Sequence, residues 1–114
     1  MLKMAAEPKY WEPNIETMSL EEMRKLQLKR LKAQLRYVYE RSPFYRRKFD
    51  EAKVKPDDLR TLEDLKKFPF TTKMDIRQYA YPHGGEIICV PRSECPYFHC
   101  TSGTTGKPTV MYYT

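Results

Sequence analysis

Six consecutive residues, Thr101-Ser-Gly-Thr-Thr-Gly106, carry nothing but small hydroxyls and glycines, and Lys107 follows them. Residues of these types suit one task, the holding of an anion. Gly103 and Gly106 permit backbone angles that turn N–H groups inward. The hydroxyls of Thr101, Ser102, Thr104 and Thr105 add donors, and Lys107 adds positive charge. Phosphate fits best. The Walker A pattern, G-x-x-x-x-G-K-[ST], does not: Thr101 stands where its first Gly is needed, and Pro108 follows Lys107 in place of Ser or Thr. A Walker loop also runs into a helix whose amino end faces the phosphate, whereas Thr109-Val-Met-Tyr-Tyr-Thr114 favours a strand. The expected form is a β-hairpin connection that folds over phosphates. A hairpin without a ligand needs only a two-residue turn, and this loop exceeds that need. Nearby, Cys89, Cys95, His99 and Cys100 match no C-x2-C spacing, so no metal site is expected. His99 is expected to be a packed, hydrogen-bonded side chain beside the loop, and no catalytic residue can be named.

To present such a loop the chain needs a frame, which reads as helices first and strands afterwards. Residues 1–18 form a Pro-containing extended leader, with Tyr10 and Trp11 expected to dock as aromatic anchors. Ser19-Leu-Glu-Glu22 is a capping box, and Leu20, Met23, Leu28, Leu31, Leu35 and Val38 continue at helical spacing to about Arg41. Ser42-Pro43 breaks that helix and starts a second one over 43–51. Thr61 to Lys67 reads as a helical turn or two, and Pro69 holds Phe68 extended. Thr72-Lys-Met-Asp75 is another capping box and opens a helix over 73–80. Pro82-His-Gly-Gly85 is a turn, and strands are expected near 87–90, 97–101 and 109–113.

At 114 residues the chain is long enough for one domain with a modest core. No apolar run approaches the roughly 20 residues that span a bilayer, and MLKMAAEPKYWEPN has no apolar stretch of the secretory kind. Neither a membrane nor a secretory role is expected. Three cysteines without paired spacing suit the reducing cytoplasm. The net charge of +6 could suggest nucleic acid. Much of it lies in Arg24, Lys25, Lys29, Arg30, Lys32 and Arg36, on the polar side of the first long helix, which reads as a solvated face. No nucleic-acid partner is expected.

Thr101-Ser-Gly-Thr-Thr-Gly-Lys-Pro-Thr109 resembles the signature phosphate loop of the adenylate-forming superfamily of acyl- and aryl-CoA synthetases, luciferases and peptide-synthetase adenylation domains. Thr109, where most branches have Lys, resembles the phenylacetate–CoA ligase branch. So do "SPFYRRKFDEA" (42–52), "FPFTTKMDIRQ" (68–78), "YPHGGEIICVPRSE" (81–94) and His99. The resemblance implies an α/β fold, appearing as α+β in this chain. Residues 19–114 would be an incomplete part of the ligase large domain, helical over 19–80 and β over 86–114. It further implies a two-step reaction. A carboxylate attacks the α-phosphate of ATP, releasing pyrophosphate and leaving an acyl-adenylate; coenzyme A thiol then displaces AMP. By this resemblance Thr101, Ser102, Gly103, Thr104, Thr105 and Gly106 would hold the β- and γ-phosphates, with Mg²⁺ sharing that load. Lys107 matches a variable position of the motif. The implied ligands are ATP, Mg²⁺, coenzyme A and an aromatic carboxylic acid, and a homodimer stays open.

Enzymes of this family are several times longer than 114 residues. The expectation is therefore an N-terminal segment of such a ligase, from a truncated gene or an incomplete record, inactive by itself. Two other readings stay open at this point: a non-catalytic nucleotide-binding module or basic helical adaptor, and part of a related enzyme that adenylylates a deazaflavin cofactor.

Overall fold

Pro13 starts a helical turn, α1 (Pro13–Glu16), in the computed structural model, which describes residues 5–103, 106 and 108–114. Proline at the first helical position has its φ already set and no N–H to lose. The leader is therefore not extended throughout. Trp11, expected as an anchor, is 92% exposed, whereas Tyr10 is half-buried. The core cluster takes up α2 at Leu28, Leu31, Leu35 and Val38, and Trp11 has no part in it.

That helix, α2 (Leu20–Arg41), begins with the expected capping box: Ser19 Oγ accepts the Glu22 N–H at 3.2 Å, and Glu22 accepts the Ser19 N–H at 2.9 Å. Bonds from the Ser19 backbone and then its hydroxyl hold the Glu22 carboxyl below its ordinary range. Ser42 caps the following helix, α3 (Pro43–Glu51), which turns the chain back. Leu35 and Val38 of α2 then meet Phe49, Val54, Leu59 and Phe68 in one buried cluster. The Phe49 ring meets Phe68 edge-on at 5.2 Å between centroids and lies nearly parallel to Tyr39 at 6.0 Å. Such aromatic pairs supply much of the burial a small core can gather.

Two short 3-10 segments follow, Pro56–Asp58 and Leu62–Lys67. The second was expected as helix and forms the tighter variety. Six residues between the Thr61 cap and Phe68-Pro69 leave little room for an α-helix to propagate. Next comes α4 (Lys73–Tyr79), again behind a complete capping box.

The strand expected over 87–90 is absent; these residues lie in turns and bends. His83, Gly84 and Gly85 all have positive φ, at 58°, 88° and 49°, and wind the chain upon itself. The Gly84 carbonyl accepts the Ile87 N–H at 3.2 Å and the Ile88 N–H at 3.4 Å, so these donors are occupied locally. A β-carbon at Gly85 would lie 2.1 Å from the Tyr79 carbonyl oxygen, so glycine is required there by space as well as by φ. Ile87 to Val90 still serve as apolar filling, half-buried without a ladder.

The remaining strands, β1 (Tyr97–Cys100) and β2 (Val110–Tyr113), pair antiparallel in a two-stranded sheet. Tyr97 faces Tyr113, Phe98 faces Tyr112, His99 faces Met111 and Cys100 faces Val110. The fold is thus a mixed one, helices plus a small hairpin. Among the described residues no helix is long and apolar enough to cross a membrane.

Candidate functional site

The hairpin register carries one step beyond the strands and closes the base of the Thr101–Thr109 loop. Thr101 N–H donates to the Thr109 carbonyl at 3.0 Å, and Thr109 N–H donates to Thr101 Oγ1 at 2.9 Å. The Thr101 hydroxyl oxygen therefore serves the neck as an acceptor, and its own hydrogen can point outward as a donor. Ser102 is exposed. Gly103 has φ +68°, and a β-carbon there would sit 2.9 Å from the Gly106 carbonyl oxygen. Gly106 has φ +129°, and its N–H donates to the Gly103 carbonyl at 3.1 Å. A loop folded this tightly on its own backbone has no room for a side chain at 103. Thr104, Thr105 and Lys107, the other expected phosphate contacts, lie outside the described residues.

A second element reaches the neck. Thr109 is only 6% exposed, so its hydroxyl needs a protein partner in place of water. Arg77, in the middle of α4, supplies it: Nε donates to Thr109 Oγ1 at 3.3 Å. The helix behind Arg77 is itself anchored. Lys48 Nζ on α3 meets Asp75 at 2.7 Å and also donates to the Phe70 carbonyl. Lys48 first, then the Thr72 backbone and hydroxyl, lower the Asp75 carboxyl to about 2. From the neighbouring position of α3, Arg47 pairs with Glu86 at 2.7 Å. The Glu86 carbonyl accepts the Ser42 hydroxyl at 3.1 Å and the Phe44 N–H at 3.0 Å. The loop's base is thus tied to α4, and α4 to the corner between α2 and α3.

The other candidate residues are dispersed. His99, expected to be packed, is exposed, with its ring 5.1 Å from that of Tyr113. Tyr97, Met111 and Tyr113, which share that face of the sheet, are exposed as well. Cys95 is buried and Cys100 exposed; Cys89 is half-buried, and that burial pushes its thiol up. Among the described residues no three His, Cys, Asp or Glu side chains gather to hold a metal ion. Along α2 the basic residues are exposed, with Lys25 paired to Glu21 at 2.7 Å and Arg36 to Asp57 at 2.9 Å.

Sequence reasoning missed the tie between Arg77 and Thr109. Thr109 stood out only as a marker of one branch, and Arg77 as an ordinary residue of a capped helix. No local pattern relates positions 32 apart.

No family model matches the chain. It is 53% identical over 104 residues to the phenylacetate-coenzyme A ligase of Thermus thermophilus, which covers 91% of this chain and 23% of that protein. With the phenylacetate-coenzyme A ligase of Escherichia coli the identity is 53% over 100 residues, 88% of this chain and 22% of that one. Among solved structures, a 2-hydroxyisobutyryl-CoA ligase with 2-HIB-AMP and CoA in its thioesterification state superposes with a TM-score of 0.86 at 42% identity. That match covers 96% of this chain and 24% of the ligase. The same ligase in its postadenylation state with 2-HIB-AMP gives 0.83 at 40% identity. The chain spans about a quarter of the length of these relatives.

Proposed function

Because the chain resembles phenylacetate–CoA ligases over nine-tenths of its length, we propose that it supplies the phosphate-gripping part of an AMP-forming acid–CoA ligase. It would form part of that enzyme's large domain, act in the cytoplasm, and serve an aromatic carboxylic acid. The observation that carries this reading is the 53% identity over 104 residues. Greater identity to phenylacetate ligases than to the 2-hydroxyisobutyryl enzyme supports the aromatic choice.

In such a ligase a carboxylate oxygen bonds to the α-phosphorus of ATP and pyrophosphate leaves with the bridging electron pair. The thiol of coenzyme A then attacks the acyl carbon, and AMP departs. Charge builds on the leaving pyrophosphate, so the useful protein groups are fixed donors aimed at its oxygens. Thr101, Ser102, Thr104 and Thr105 provide hydroxyls, and Gly103 and Gly106 let the backbone approach. Lys107 adds charge. Mg²⁺ would neutralise part of the triphosphate's charge.

The test is a chimera in which residues 1–114 replace the matching quarter of the Thermus thermophilus ligase. Exchange of labelled pyrophosphate into ATP that depends on added phenylacetate, followed by thioester formation with coenzyme A, is the expected result. A chimera that is folded by circular dichroism and shows no such exchange overturns the reading.

A further inference from the structure

We infer that Arg77 is a positioning residue for the loop: through Thr109 it fixes how the neck at Thr101 and Thr109 is set against α4, and hence the grip on departing pyrophosphate. The inference rests on the ligase reading above. Among the described residues, three hydrogen bonds join Thr101, Thr109 and Arg77 at the neck. Two of them, Thr101 N–H to the Thr109 carbonyl and Thr109 N–H to Thr101 Oγ1, join one side of the hairpin to the other. They maintain its shape and leave its orientation free. The third, from Arg77 Nε to Thr109 Oγ1, comes from α4.

Apolar packing does little of the same work. All four side chains of β1 are exposed, and in β2 only Val110 and Tyr112 are half-buried. A guanidinium held on a short, doubly anchored helix is a better reference point. The Thr72–Asp75 box fixes the start of α4, and Lys48 ties that same carboxylate to α3. Arg77 lies two residues further on. Its bond lands on the hydroxyl of a residue only 6% exposed, where water has little access to compete for the acceptor. Because donors to a developing charge must be placed within a fraction of an ångström, a small pivot at the neck costs binding and rate at the tip.

The test uses the chimeric ligase with Arg77→Met, Thr109→Val and the double variant. Each single change is expected to raise the KM for ATP in pyrophosphate exchange roughly tenfold, the loss of one charge-assisted bond. Thioester formation from supplied acyl-adenylate should stay within about twofold of the parent, since pyrophosphate has already left. The double variant should be no worse than either single one, because both remove the same contact. Arg77→Lys, which keeps a donor on a flexible stem, should recover part of the loss. In the 114-residue chain itself, Arg77→Met should speed hydrogen exchange at the Thr101 and Thr109 amides and leave the α2 amides alone. Equal losses in both half-reactions, additive losses in the double variant, or an unchanged KM with Arg77→Met overturn the inference. Gly103→Val separates the two levels. If it slows adenylation while Arg77→Met does not, this inference alone fails; if it too leaves adenylation intact, the ligase reading of the loop fails with it.

Discussion

The corner between α2 and α3 and the hairpin are held by opposite means. At the corner, burial and hydrogen bonding coincide: Phe44 and Phe49 are buried, and Ser42, 1% exposed, uses its hydroxyl on both sides. In the hairpin, β1 is exposed along its whole length, and polar bonds among Thr101, Thr109 and Arg77 close the neck. Burial is strong but non-directional, so it sustains a frame without placing any atom finely. Hydrogen bonds are individually modest and strongly directional, so under the ligase reading proposed above they suit a loop whose donors must be aimed. A change in the first region should therefore cost stability, and one in the second should cost function.

The sharpest contrast is Phe49→Ala against Phe98→Ala. Removing the buried ring should cost about 3–5 kcal/mol in urea unfolding, whereas the exposed strand residue should cost under about 1 kcal/mol. Similar losses at both would erase the distinction between the regions. Next comes the loop in the chimeric ligase. Thr104→Ala with Thr105→Ala should slow adenylation by on the order of 10²-fold, equivalent to about 2.7 kcal/mol of barrier. The urea midpoint should not move, and a fall in it would mean that the loop serves folding.

Ser42→Ala follows. It removes the α3 cap and one of the two bonds to the Glu86 carbonyl, and should cost about 1–2 kcal/mol in the same unfolding assay. The tie from α3 to α4 can be probed by acid. Asp75 is lowered from its ordinary 3.8 to about 2, chiefly by Lys48. Its contribution is thus fully present above the unfolded value and is lost as pH falls from there through about 2. Asp75→Asn should flatten the acid limb of the stability curve over that window; an unchanged limb would show that the pair adds nothing. Smallest of all, Trp11→Ala should leave stability within about 0.5 kcal/mol, because the ring is almost wholly in water.

The frame was readable wherever its signals are local. Ser19 with Glu22, Ser42 with Pro43, and Thr72 with Asp75 are contacts within a few residues, and each helix begins where these residues say it should. The hairpin was readable for a similar reason, since a glycine-rich break between two runs of β-formers returns the chain upon itself. Ile87-Ile-Cys-Val90 misled, because β-branched composition marks a residue's preference for a pleated surface and not the presence of a partner. The three positive-φ residues before it direct the backbone into turns instead.

The sequence by itself therefore determined the capped starts of α2, α3 and α4, the two strands that pair as the hairpin, and the resemblance to phenylacetate–CoA ligases. Each of these depends on residue types a few positions apart. Only the tertiary structure decided that Ile87 to Val90 fill space without pairing, that Trp11 and His99 face water, and that Arg77 meets Thr109 at the neck. Those outcomes depend on which surfaces the folded chain brings together across tens of residues, and no local preference carries that information.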